Sequence, residues 1–127
     1  MFKLIKIENG RMNVPEPEYH VANAALECGQ AVSLSSGKLV KNTTTPTHIT
    51  LASAKANDTK VPCVRIEPAQ VYEVPVSATP TASVGTKVAL GADGITVAGT
   101  ASESGIATVV SLDGAKAAGD KITVRFN

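Results

Sequence analysis

The 127 residues suffice for one domain with one modest core and are too few for two domains of usual size. Twelve basic and eleven acidic residues leave a net charge of +1 with neither sign clustered, which excludes the basic stripe of a typical nucleic-acid binder. The four aromatics, Phe2, Tyr19, Tyr72 and Phe126, are too few to build stacking platforms for bases or sugars.

Val, Ala and Thr dominate, and the ten Gly and seven Pro recur at short intervals. β-Branched side chains lose rotamer freedom in a helix and pack well on a pleated surface, so the expected class is all-β, a small β-barrel or tulip-like body of many short strands. In chain order, Phe2–Glu8 is strand-like and Asn9-Gly10 signals a turn. Val14-Pro15-Glu16-Pro17-Glu18 must be extended, because proline fixes its own φ and restricts its neighbour. Residues 1–20 therefore read as an extended N-terminal arm, and residues 21–127 as a single β-barrel-like domain.

Within that body, Ala31–Leu34 and Lys38–Lys41 form a hairpin that sets Leu34 opposite Leu39. His48–Ala52 carries Ile49 and Leu51 on one face. Val61–Glu67 and Val71–Val76 follow, with Val64, Ile66, Tyr72, Val74 and Val76 as core candidates. Pro62 and Pro75 belong on edges or bulges, since neither can donate to a ladder. Residues 77–84 read as a crossing segment. Thr86–Leu90 and Ile95–Ala98 flank Gly91-Ala92-Asp93-Gly94, a hairpin that puts Leu90 opposite Ile95 and Val88 opposite Val97. Ile106–Leu112 is an apolar strand, and Lys121–Phe126 brings Ile122, Val124 and Phe126 to one face. A template, Gly-x-x-apolar-x-apolar, recurs at Gly29, Gly85 and Gly119, with the glycine turning a corner before a strand enters the core.

The residues offer little chemistry. His20 and His48 are far apart in sequence and expected at the surface or a hinge. Cys28 and Cys63 lack the Cys-x-x-Cys spacing of zinc or redox sites and read as reduced, buried thiols. No Gly-x-Ser-x-Gly elbow or phosphate-cradling loop occurs, and Asp93 and Asp113, each before Gly, are turn formers. No enzyme, cofactor or metal is expected. Lys3 and Lys6 interrupt the apolar start, and no stretch approaches the ~20 apolar residues of a membrane span. A soluble chain made inside a cell follows, with no membrane and no nucleic-acid partner. What remains is binding through the arm, by addition to another protein's sheet edge, with Phe2, Leu4, Ile5, Ile7, Val14, Pro15 and Tyr19 as the anchors. Alternatively, residues 2–8 form an edge strand of the domain's own sheet.

The order of signals through the body resembles the small capsid decoration, or cement, proteins of tailed phages. The segments that carry the likeness are Tyr19-His20-Val21, Leu26-Glu27-Cys28-Gly29-Gln30-Ala31-Val32 and Gly37-Lys38-Leu39-Val40. Val71-Tyr72-Glu73-Val74-Pro75-Val76 and Gly85-Thr86-Lys87-Val88-Ala89-Leu90 follow, with the Asp93-Gly94 turn. Gly105-Ile106-Ala107 and Ala118-Gly119-Asp120-Lys121-Ile122-Thr123-Val124 close the series. The resemblance implies a barrel on the outer surface of a virion head, synthesised in the host cytoplasm. It implies a homotrimer at three-fold or quasi-three-fold sites that bridges subunits of the major capsid protein, with no catalytic residues. A phage tail or adhesin β-domain and a small-barrel ligand-binding module are the rival readings.

Overall fold

The computed structural model describes residues 1–8 and 15–127. Its strands are β1 (Lys3–Ile7), β2 (Glu18–Ala22), β3 (Ala31–Ser35), β4 (Lys38–Lys41), β5 (His48–Thr50), β6 (Val61–Arg65), β7 (Gln70–Pro75), β8 (Lys87–Leu90), β9 (Val97–Ala101), β10 (Ala107–Ser111) and β11 (Lys121–Phe126). Five of them close a barrel in the order β2-β4-β3-β5-β6, and six form a sheet in the order β1-β7-β11-β10-β8-β9. The expected all-β class with a small barrel is what the chain adopts. The barrel uses only the first half of the expected body, and the second half builds the sheet.

That sheet curls until β9 meets the chain just beyond β7, where Val76 and Val97 form a parallel bridge and the Ser77 amide donates to the Val97 carbonyl. Its concave side holds the larger core, which includes Phe2, Tyr72, Val74, Val88, Val97, Ile122, Val124 and Phe126. A smaller core of Ala22, Leu26, Val32, Leu39, Val61 and Cys63 fills the barrel. Side chains alternate across a strand, and β3, β5 and β6 use both faces. Ala31, Ile49 and Val64 point into the larger core, while Val32, Thr50, Val61 and Cys63 are buried on the other side of the same strands. This wall of the barrel is the surface on which the sheet packs.

Of the two arrangements open for residues 2–8, the chain takes the edge strand of its own sheet. β1 pairs with β7 through Lys3↔Glu73, Leu4↔Tyr72, Lys6↔Val71 and Ile7↔Gln70, with a bulge that leaves Ile5 unpaired. The boundary expected at residue 20 also falls inside β2, which pairs with β6 and closes the barrel. Residues 2–8 and 18–20 are thus parts of the body rather than an arm outside it. The Asn9-Gly10 turn and Val14 lie outside the described residues.

Other expectations divide by cause. The β3–β4 hairpin has the expected Leu34↔Leu39 register, set by its two-residue loop. In the β8–β9 hairpin Leu90 pairs with Val97 and Val88 with Ala101, not with Ile95 and Val97. Asp93 lengthens that loop: its Oδ1 accepts from the amides of Ile95 and Thr96 at 3.0 and 3.1 Å, and the Gly91 amide donates to the Thr96 carbonyl. β5 ends at Thr50, so Leu51 turns to solvent while Ile49 is buried. Pro62 is not at an edge, because β6 lies between β2 and β5. It sits where the β5–β6 ladder ends: Leu51 donates its amide to the Pro62 carbonyl, and the Leu51 carbonyl, which proline cannot serve, accepts from the Cys28 thiol at 3.3 Å. Gly29, Gly85 and Gly119 of the recurring template all adopt positive φ, as a corner residue requires.

Candidate functional site

Among the described residues, functional groups gather at the junction of the two cores at the outer side of β1 and at the mouth of the barrel. At the junction, Met1, Leu4, Cys28 and Leu51 line an open, mostly apolar cleft of about 210 Å³. Met1 and Leu51 are each close to half exposed there, at 49% and 46%. Gln30 holds the junction together from beneath, its Nε2 donating to the Asp93 carbonyl at 2.8 Å and its Oε1 accepting from the Glu27 amide. Thr50 adds to this network by accepting from the Gln30 amide and donating to the Glu27 carbonyl.

The expected arm anchors are dispersed by this geometry. Phe2 is core, 5.3 Å from the Phe126 ring and 6.1 Å edge-on from Tyr72. Leu4 is half-buried against the same core, and Ile7 is half-buried on the paired strand. Ile5 is exposed at the bulge, and Tyr19 is the most exposed aromatic, at 60%, on the outer face of β2. Pro15 is half-buried and outside any strand. Of the proposed anchors, Ile5 and Tyr19 are presented to solvent and Phe2 is not.

The barrel mouth is the place that sequence reasoning missed. β2, β5 and β6 are adjacent, and their inward faces bring Glu18 and His20, His48, and Cys63 and Arg65 to one end of the barrel. Glu18 is the hub. Its carboxylate accepts from His20 Nε2 at 3.3 Å, from His48 Nε2 at 3.1 Å and from Arg65 Nη2 at 3.3 Å, and pairs with the same guanidinium's Nε at 3.3 Å. Thr47 Oγ1 lies 2.8 Å from His48 Nδ1, and the two imidazoles meet edge-on with centroids 5.8 Å apart. The expectation that the histidines are isolated surface groups is corrected: His48 is 1% exposed, and both belong to one cluster. Pairing of β6 with β5 and with the sequence-distant β2 makes that cluster, and its sole local signal is Glu18-x-His20, two residues that share a strand face.

The electrostatics follow from this burial. Desolvation of the Glu18 carboxylate is outweighed by the hydrogen bonds from His20, His48 and Arg65, so it titrates below the ordinary carboxylate range. Burial lowers the His48 pKa against the pull of Glu18, so the imidazole is neutral at pH 7, with Nε2–H donating to the carboxylate and Nδ1 accepting from Thr47. Cys63 lies fully buried under the cluster, its thiol donating to the Glu18 backbone carbonyl and its pKa pushed up to about 11 by burial and the nearby carboxylate. Both cysteines are free thiols, Cys63 buried and Cys28 half-buried. One ligating atom from each of His20, His48 and Cys63 lies within 4.8 Å of the others, which makes these three, among the described residues, a group able to hold a metal ion.

No protein-family model matches the chain, and neither does any curated protein. Among the described residues no helix is long and apolar enough to cross a membrane.

Proposed function

We propose that the chain is a non-enzymatic capsid decoration protein that binds the outer surface of a phage head and bridges subunits of the major capsid protein. The observation that carries this reading is the open side of β1. Its outer edge has no strand neighbour among the described residues; Ile5 is exposed on the strand, and Met1 and Leu51 line the junction cleft beside it. Apolar side chains grouped at a rigid seam between two packed layers suit docking against another protein. The bulge at Ile5 and the flanking Lys3 and Lys6 guard this edge against open-ended strand addition, so side-chain anchoring serves the contact in place of an added strand. Self-association as a homotrimer at three-fold or quasi-three-fold sites would turn several small contacts into avidity.

The decisive measurement is the copy number of the chain relative to the major capsid protein in purified particles. A ratio near one-to-one supports decoration, a handful of copies per particle moves the protein to the tail, and absence overturns the reading. Deleting residues 2–18 is unsuitable as a test, because it removes Phe2 from the core and β1 from the sheet. Leu51→Glu alters a side chain that is about half exposed and is expected to weaken binding to heads by about tenfold or more. Undiminished binding by Leu51→Glu and Ile5→Glu would place the contact elsewhere.

A further inference from the structure

We infer that the barrel mouth is a binding site for a borderline-soft divalent transition metal of the zinc class, ligated by His20, His48 and Cys63 with the fourth position open to solvent. Two imidazoles and a thiolate form a donor set that such ions select over Mg²⁺ or Ca²⁺. In a tetrahedral site with ligand bonds of about 2.0–2.3 Å, neighbouring donor atoms sit about 3.3–3.8 Å apart. The three donor atoms, all within 4.8 Å of one another, therefore need at most about 1.5 Å of closure.

The supporting groups are already in place. Thr47 Oγ1 contacts His48 Nδ1 and, as a hydroxyl, accepts from that nitrogen as readily as it donates, so Nε2 can turn its lone pair to a metal. The strand register holds Cys63 opposite both Glu18 and Thr50, which fixes the sulfur at the floor of the mouth. Entry is from solvent, since the His20 and Glu18 side chains are 25% and 32% exposed. On binding, the Cys63 sulfur gives its proton to solvent and forms the metal–sulfur bond, while Glu18 keeps its ion pair with the half-exposed Arg65. No redox step is involved.

The experiment is a titration of the purified full chain with Co²⁺ and then Zn²⁺ in chelator-free buffer. The expected result is one ion per chain, a thiolate-to-cobalt charge-transfer band with the visible absorption of tetrahedral Co²⁺, and its displacement by Zn²⁺. Cys63→Ser should abolish the charge-transfer band while Cys28→Ser retains it. If Cys63→Ser does not fold, His20→Gln on the partly exposed rim serves instead, with an expected loss of about 100-fold or more in affinity. A folded wild-type chain that shows no thiolate band at micromolar Co²⁺ overturns the site, and so does a band that survives in Cys63→Ser or is lost in Cys28→Ser.

Discussion

Phe2 is one of three aromatic rings in mutual contact, with Tyr72 and Phe126, and together they occupy the concave side of the sheet. Phe2→Ala removes a ring that is 3% exposed and leaves a cavity beneath β1, so it should cost about 3–5 kcal/mol in urea unfolding. Gly105 is constrained by space rather than by φ. A Cβ there would lie 2.6 Å from the Val88 backbone, which cannot move without parting β8 from β10. Gly105→Ala is expected to destabilise by about 1–3 kcal/mol, measured in the same way. Asp113 shows how a turn residue acquires a pH dependence. The hydroxyls of Thr123 and Ser111 donate to its carboxylate and hold its pKa below the usual range. A carboxyl depressed in the folded state stabilises above its unfolded pKa, and that contribution is lost as pH falls through the folded value. The urea midpoint should therefore fall below about pH 4, and less steeply in Asp113→Asn, which keeps the positive φ that Asn tolerates.

Elements were legible where the information was local. β11 runs over Lys121–Phe126 as read, because Ile122, Val124 and Phe126 alternate cleanly into one core. The β3–β4 register was legible because a two-residue loop admits one pairing. The β8–β9 register was not, because one Asp93 side chain captures two amides and a hydroxyl and so extends the loop. Asp93→Ala should cost about 1 kcal/mol and loosen that hairpin, read as faster amide exchange at Ile95 and Thr96. Illegible too were features that require knowing which strands meet. β1 could equally have been an arm, since its sequence is strand-like in either case. His48 reads as a surface or hinge residue, yet it and Thr50 are buried because β5 has a core on each side. The barrel-mouth cluster depends on β2 and β5 flanking β6, a pairing no local pattern encodes.

At the scale of the molecule, the barrel and the sheet share a wall rather than touching across one. Ile49 and Val64 belong to the core of the sheet, while Thr50 and Cys63, their chain neighbours, are buried inside the barrel. Because each of β5 and β6 completes two interiors, melting either layer strips the other of one side of its packing. The two halves should therefore behave as one cooperative unit, with a single calorimetric transition whose van't Hoff and calorimetric enthalpies agree. Amide protons of Ile49, Val64, Tyr72 and Val124 should then exchange with one common opening free energy equal to that of global unfolding. Two resolved transitions, or a barrel that exchanges while the sheet stays protected, would mean that the halves separate. A chain that opens only all at once offers proteases no partly unfolded half to cleave.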